Sequence, residues 1–264
     1  RQIARVSSII VPMMALGYIL LALGVVLFNI GHFAGVVELI VANAFGWEQA
    51  LGGGVGAALM QGIKRGLFSN EAGMGSAPNA AATAHVTHPA KQGFIQALGV
   101  FTDTLLICSC TAFIILFGED YIGSGLDGIQ LTQAALTGEV GNIGGIYVAI
   151  ATLFFAYSSI LGNYYYGEAN IRFFTSRQWP VVLYRMLVGG MVLFGSLASL
   201  NLVWNLADVT MALMSICNLI AIFLLDKYAF RLLDDYLAQK RKGIKSPVFH
   251  KEQMKDIEQD LECW

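Results

Sequence analysis

The sequence predicts an all-α protein that crosses a membrane several times. Of its 264 residues, 56% are hydrophobic and only 13% are charged, and its mean hydropathy is +0.62. One soluble core cannot absorb so much apolar sequence, whereas a bilayer can. Several uncharged runs also reach the roughly 20 residues that a helix needs to cross about 30 Å of hydrocarbon. These observations exclude an ordinary soluble globular protein.

The apolar runs predict about six transmembrane helices, one of them interrupted. The first covers residues 6–28 and contains Pro12, which kinks a helix in lipid without ending it. The others follow as an interrupted segment at 50–88 and continuous runs at 94–117, 143–166, 180–198 and about 205–225. The last two are expected to join in a tight turn around Asn201 and Asn205. The transmembrane region is therefore predicted to cover residues 1–226.

Residues 33–45 and 227–264 do not fit a membrane span. The first segment places apolar residues at helical spacing with Glu38 off that face, which is typical of a short helix at the membrane interface. After Asp226 the sequence becomes charged and polar. We interpret residues 227–264 as a charged, solvated tail in the cytoplasm.

The distribution of lysine and arginine predicts the orientation of the spans. Basic residues occur before the first span, after the interrupted segment, after the 143–166 span and in the tail. The connections at residues 29–49, 118–142 and 199–204 contain none. Because short cytoplasmic loops collect basic residues, both ends of the chain are expected in the cytoplasm.

The stretch from Gly66 to Asn79 is expected to break a helix. It reads Gly-Leu-Phe-Ser-Asn-Glu-Ala-Gly-Met-Gly-Ser-Ala-Pro-Asn, in which Ser76 can cap a helix that restarts before Pro78. Non-helical backbone at membrane depth is tolerated only where it lines a cavity or is buried in protein. Two facing helix ends would also offer opposite partial charges to the two charged groups of an amino acid. The alternative is a cytoplasmic loop that places the preceding Lys64 and Arg65 at the membrane surface.

The stretch from Lys64 to Pro78 resembles the signature of the alanine or glycine:cation symporters. The resemblance continues in His-Pro-Ala-Lys-Gln-Gly at 88–93, Phe-Thr-Asp-Thr-Leu-Leu at 101–106, Phe-Ala-Tyr-Ser-Ser-Ile-Leu-Gly at 155–162 and Tyr-Tyr-Gly-Glu at 165–168. It implies the leucine-transporter fold, which has two inverted repeats of five helices around a site at the membrane midplane. By this resemblance the chain carries the last helix of repeat one and all five of repeat two. The first four helices of the parent protein are then missing from it.

The resemblance also implies roles for individual residues. Five residues are expected to border the substrate, a small neutral amino acid such as alanine or glycine: Phe68, Ser69, Met74, Gly75 and Ser76. Ser158 and Ser159 correspond to a hydroxyl pair that helps to bind sodium, the coupling ion, together with carbonyl groups of the absent first helix. Hard oxygen ligands suit such an ion. Serines in membrane helices also commonly bond to carbonyls of their own helix, which is the structural alternative.

Four charged residues are interpreted as structural or coupling charges: Lys64, Arg65, Glu71 and Asp103. Asp103 is the only charge in its predicted span, and an intramembrane carboxylate suggests a function. Its alternative role is that of an internal partner for Lys64 or Arg65. His85 and His88 are spaced to offer two nitrogens to a metal, but no third ligand accompanies them.

The predicted function is the symport of alanine or glycine with sodium across a bacterial plasma membrane. The lipid bilayer is the expected surrounding partner, and no nucleic-acid partner is expected. Proton coupling is the alternative for the ion. A channel normally repeats its pore lining by symmetry, and no such repeat is visible. An intramembrane hydrolase built on Ser76 with a nearby histidine lacks a recognisable nucleophile motif, so no enzymatic activity is predicted.

Overall fold

The computed structural model describes residues 2–45, 54–118 and 124–254, and these residues are organised by α-helices. In chain order the helices are α1 (Gln2–Phe28), α2 (Phe33–Phe45), α3 (Gly54–Asn70), α4 (Ser76–Ala81), α5 (Pro89–Thr102), α6 (Ser109–Phe117), α7 (Ile129–Val140), α8 (Asn142–Phe174), α9 (Trp179–Leu197) and α10 (Leu200–Arg241). A π-helical turn at Asp103–Cys108 joins α5 to α6, and a 3₁₀ helix covers Lys251–Met254. The predicted all-α class is confirmed for these residues.

Five helical stretches in the described ranges are long and apolar enough to cross a membrane. They are Val11–Phe28, Pro89–Phe117, Asn142–Phe174, Trp179–Leu197 and Leu200–Arg241. They match the five continuous predicted spans and make the protein a multi-pass membrane protein. The helices α3 and α4, with 17 and 6 residues, are each shorter than a span. The predicted start of the interrupted segment, parts of two connections and the end of the tail (50–53, 46–49, 119–123 and 255–264) lie outside the described residues.

The first of two compact units comprises Arg1–Asn70 and Phe101–Met191. Its core is a cluster of buried apolar residues from five helices: Ala22, Val25, Val36, Ile114, Phe117, Leu136 and Val148. Polar groups tie α1 to its neighbours within this unit, because Tyr18 Oη and Thr111 Oγ1 lie 2.8 Å apart and the Tyr147 hydroxyl donates to the Met14 carbonyl at 3.0 Å. The α1 helix is thus held on two sides.

The helix α7 corrects the prediction that residues 118–142 form only a connection. It buries Thr132 and Leu136, which are one helical turn apart, and it packs beside the start of α8. The close approach depends on Gly144, where an added Cβ would lie 2.7 Å from the Leu136 carbonyl oxygen. Gln133 Nε2 also donates to the Gly145 carbonyl at 3.1 Å. A helix of 12 residues is too short to register as a span, which is why hydropathy missed it.

The second unit comprises Glu71–Val100 and Val192–Trp264, and its longest element is α10. The predicted turn around Asn201 and Asn205 is wrong, because both residues lie inside α10 and the break from α9 falls at residues 198–199. The helix also continues past Asp226 to Arg241. Its 42 residues correspond to about 63 Å, roughly twice the hydrocarbon thickness. The change to charged sequence after Asp226 therefore does not end the helix.

The residues after α10 fold back along its last turns. Gly243 has a φ of 83°, the left-handed conformation that commonly ends a helix. The Gln239 side chain then makes two hydrogen bonds to Val248 of the returning chain. Its Nε2 donates to the Val248 carbonyl at 2.9 Å, and its Oε1 accepts from the Val248 N–H at 3.0 Å. Phe249 and Met254 are buried. This part of the predicted tail therefore folds back against the last turns of α10.

Candidate functional site

Residues 71–75 interrupt the helical chain between α3 and α4. The φ angles of Glu71, Gly73 and Gly75 are 50°, 77° and 92°, which are left-handed values that break a right-handed helix. Glycine adopts this conformation readily, whereas Glu71 is the exception that the turn imposes. The Met74 N–H donates to the Glu71 carbonyl at 3.2 Å and closes the turn. The predicted break is therefore encoded mainly by the two glycines.

The predicted helix cap at Ser76 is wrong. Gly75 occupies the cap position of α4 with a φ of 92°, and no side chain caps this end. Ser76 is instead the first helical residue, and it is 6% exposed. Its Oγ is buried and has no hydrogen-bond partner among the described residues. Met74, another predicted substrate residue, is 3% exposed, so both of these residues are buried.

The interrupted segment is held from α10 by Asn218. The Asn218 Nδ2 donates to the Gly73 carbonyl at 2.9 Å. A Cβ added at Gly75 would lie 3.2 Å from the Cβ, Cγ and Oδ1 atoms of the same asparagine. The sequence contained no signal for this contact, because Asn218 lies 145 residues from Gly73.

Ser69 and Asp103, both in the first unit, are in direct contact. The Ser69 hydroxyl donates to the Asp103 carboxylate, and Cys108 Sγ lies 3.3 Å from the Ser69 oxygen. Asp103 is half-buried and begins the π-helical turn. Next to this pair, the Thr104 hydroxyl donates to the Asn70 Oδ1 at 2.9 Å. The structure therefore joins one predicted substrate residue to the predicted intramembrane carboxylate, at a helical irregularity of the kind that is frequent at functional sites.

The other predicted residues differ in how far they are exposed to solvent. Phe68 is 39% exposed, Lys64 is exposed, and Arg65 and Glu71 are partly buried. On α8, the Ser158 hydroxyl donates to the Phe155 carbonyl at 2.9 Å, while Ser159 is exposed. The Ser158 hydroxyl proton is thus engaged in a hydrogen bond within α8, and its oxygen lone pairs remain able to accept a hydrogen bond or to bind a cation.

Sequence reasoning missed a charge network between α8 and α9, also within the first unit. Arg185 lies inside the predicted span at 180–198, and its Nε donates to the Tyr164 hydroxyl at 2.7 Å. Tyr164 in turn donates to the Glu168 carboxylate, which also pairs with Arg172 at 2.7 Å and with Arg185 at 3.5 Å. A lone arginine in an apolar run was the signal available, because such a charge normally has a partner in the protein.

The histidine pair does not form a metal site. The His88 ring is fully buried, and its Nε2 lies 3.0 Å from the Asp235 Oδ2. Its Nδ1 accepts the Ala90 N–H at 3.1 Å. Both ring nitrogens are therefore engaged, while His85 is exposed. No group of three or more histidine, cysteine or acidic side chains suited to a metal occurs within 2–45, 54–118 and 124–254.

Comparison with known proteins identifies a family over almost the whole chain. The model of the sodium:alanine symporter family matches residues 1–251. The probable sodium/glutamine symporter GlnT of Bacillus subtilis (strain 168) is 53% identical over 264 residues, which cover 100% of this chain and 55% of GlnT. The amino-acid carrier protein AlsT of the same organism is 51% identical over 265 residues, which cover 100% of this chain and 56% of AlsT.

A more distant relative comes from an archaeon. The sodium/alanine symporter AgcS of Methanococcus maripaludis is 39% identical over 229 residues, which cover 85% of this chain and 50% of AgcS. The chain thus spans about half the length of the curated relatives it matches.

Proposed function

Because this chain belongs to the sodium:alanine symporter family, we propose that it forms part of a secondary transporter that carries a small neutral amino acid across a bacterial plasma membrane together with sodium. The match over residues 1–251 is the observation that carries this proposal. The family consists of transporters, so the hydrolase alternative is dropped. The five apolar helices long enough to span a bilayer agree with a transporter.

The proposed architecture is the leucine-transporter fold, with α3, residues 71–75 and α4 as one discontinuous transmembrane helix. Two features support it: the positive φ angles at residues 71–75, and the shortness of the flanking helices. This helix would be the sixth span. The first four helices would come from a part of the parent protein outside this chain. Both ends of the chain are proposed to lie in the cytoplasm, which the distribution of basic residues supports.

The proposed substrate residues are Phe68, Ser69, Met74, Gly75 and Ser76. Ser76 supports this role, because a buried hydroxyl without a partner is costly unless something else satisfies it. Met74 and Gly75 precede α4 and lie outside the helices, and irregular backbone beside the end of a half-helix suits a ligand with two charged ends. Alanine or glycine is the first candidate. Glutamine is the second, because the relative at 53% identity is named a probable sodium/glutamine symporter.

The proposed sodium ligands are the hydroxyl oxygens of Ser158 and Ser159. Adjacent helical residues point about 100° apart, so both can approach one ion only if it lies at the edge of α8. The hydrogen bond from Ser158 to the Phe155 carbonyl is the bond that a purely structural serine also makes, and it still leaves the oxygen lone pairs available to a cation. The charges at Lys64, Arg65, Glu71 and Asp103 are proposed as structural or coupling groups. Asp103, held by Ser69, would be the proton carrier if protons replace sodium.

Uptake of radiolabelled alanine into proteoliposomes containing the full-length protein tests the function. We expect saturable uptake driven by an inward sodium gradient, with competition from glycine if the pocket is small and from glutamine if it is not. Uptake driven by a proton gradient alone would show that the coupling ion is the proton and not sodium. Flux that does not saturate would indicate a channel and contradict the proposal.

The same assay tests the sodium site. Ser158→Ala and Ser159→Ala should each raise the sodium concentration for half-maximal uptake, because one ion ligand is lost. By reciprocal linkage, alanine should bind more weakly at limiting sodium and recover part of its affinity at saturating sodium. Ser196→Ala, which removes an exposed α9 hydroxyl bonded to its own helix, is the matched control. Unchanged sodium dependence in both α8 variants would make the pair structural.

A further inference from the structure

Asn218 is a polar residue in the apolar part of α10 that faces inward. It is partly buried, whereas its neighbours Cys217 and Leu219 are exposed. Its side-chain amide donates to the Gly73 carbonyl at 2.9 Å. Both residues belong to the second unit, so the contact lies within one compact body. The amide therefore points to the interrupted segment and not to the exposed surface of α10.

The Gly73 carbonyl needs such a donor because of its local conformation. With a φ of 77°, Gly73 lies outside helical geometry, so no helical N–H is available to it. A backbone carbonyl in an apolar environment requires a hydrogen-bond partner from the protein. Asn218 supplies this partner from a helix far away in sequence, and so fixes the position of the peptide that precedes Met74.

The same side chain also limits the space beside Gly75. A Cβ at that position would meet three Asn218 atoms at 3.2 Å, which is tighter than ordinary van der Waals contact. Asn218 thus makes a hydrogen bond to the segment at Gly73 and leaves little free space at Gly75, on the other side of the buried Met74. The hydrogen bond fixes the Gly73 carbonyl, and the limited space at Gly75 restricts the backbone on the other side of Met74.

We propose that Asn218 is a positioning residue for substrate binding, which holds the backbone of residues 73–75 in the shape that the substrate site requires. This role rests on the proposed function, because the substrate is assigned to Met74, Gly75 and Ser76. Asn218 acts through the segment: its amide fixes a carbonyl, and its Cβ, Cγ and Oδ1 atoms close the space at Gly75. The dependence on an amide donor distinguishes it from a residue that merely fills space.

The test compares Asn218→Asp and Asn218→Ala with Cys217→Ala in the full-length protein. Aspartate keeps the shape of asparagine, but its carboxylate cannot donate to the Gly73 carbonyl. We expect both Asn218 variants to raise the KM for alanine by about tenfold, as for the loss of one partly buried hydrogen bond, with little change in the maximal rate. Asn218→Gln, which retains a donor, should recover part of the affinity. Cys217→Ala, which alters the adjacent exposed residue, should match the wild type.

A second readout does not depend on transport. Hydrogen–deuterium exchange of the peptide covering residues 71–76 should become faster in Asn218→Asp and stay unchanged in Cys217→Ala. An unchanged KM together with unchanged exchange would overturn the proposal. Lower thermal stability with an unchanged KM would also overturn it, since the role would then be structural. If the wild type carries no amino acid, the proposed function fails, and the exchange experiment still decides whether Asn218 positions the segment.

Discussion

At the scale of single residues, the interrupted segment depends on left-handed backbone at Gly73 and Gly75. A residue with a Cβ costs roughly 1–2 kcal/mol in that conformation. At Gly75 the added methyl group would also press on Asn218. We therefore expect Gly75→Ala to reduce alanine uptake strongly while the protein still reaches the membrane. Uptake per molecule of protein in proteoliposomes measures this effect.

Gly99→Ala is the matched control for Gly75→Ala. It lies in α5 of the same unit, and its added Cβ meets nothing within 4 Å. Because alanine favours a helix more than glycine does, the control should express and transport at least as well as the wild type. An equal loss of expression and uptake in Gly75→Ala would assign the glycine to packing rather than to the substrate site.

The sequence motif located the segment, but not the side chains that hold it. Gly73 and Gly75 follow from local backbone preference, which is readable in a short stretch of sequence. The contacts from Asn218 to Gly73 and from Ser69 to Asp103 join distant residues, and no periodicity reports such pairs. Arg185 was visible as a lone charge in an apolar run, but its partner on α8 required the fold.

At the scale of elements, hydropathy predicted the continuous spans and failed where helices do not end with the membrane. The change in composition after Asp226 marks a change of environment, whereas α10 ends only at Arg241, shortly before the left-handed backbone of Gly243. Hydropathy missed α7 because this helix is shorter than the window that detects a span. Its two buried residues, Thr132 and Leu136, lie four positions apart, which is the spacing of one helical face. Composition indicates whether a segment lies in lipid or in water, whereas the end of a helix depends on its capping residues and on the turn that follows.

The junction around His88 gives a prediction for these elements. His88 is fully buried, accepts the Ala90 N–H at the start of α5, and contacts Asp235 of α10. Its ring also meets Phe249 edge-on, at 5.7 Å between centroids. His88→Ala should lower the free energy of unfolding by about 2 kcal/mol, because it leaves a cavity and removes two hydrogen bonds. Thermal melting of the purified protein in detergent measures this loss.

His85→Ala is the control for the same junction, since His85 is exposed and lies only three residues away. It should leave the melting temperature near that of the wild type. Hydrogen–deuterium exchange of residues 244–249 should also become faster in His88→Ala and not in His85→Ala. The reason is that the Phe249 N–H donates to the carbonyl of Thr87, the residue before this histidine. Equal melting of the two variants would show that the buried contacts of His88 contribute nothing to stability.

At the scale of the whole molecule, the chain spans about half the length of the relatives it matches, and the proposed sodium site includes oxygen ligands from outside this chain. The fold class and the five continuous spans followed from the long apolar runs, because a run of about 20 apolar residues crosses a bilayer as a helix, which pairs its own backbone groups. The arrangement into two compact units did not follow, since it depends on side-chain contacts between helices distant in sequence. The proposed sodium site needs carbonyl oxygens that this chain is not expected to provide.

This incompleteness predicts that the isolated 264-residue chain shows no sodium-stimulated alanine binding. Two serine hydroxyls alone offer too few oxygen ligands to strip water from a small cation, so the ion site should form only with the missing helix. Binding of radiolabelled alanine to the purified chain should therefore be equal with and without sodium, while circular dichroism confirms that the chain is helical. The full-length protein, assayed in parallel, should bind alanine only with sodium present. Co-expression of the missing N-terminal helices with this chain should restore that dependence. Strong sodium-stimulated binding by the isolated chain would show that one half of the transporter holds a complete site, and the split-site model would be wrong.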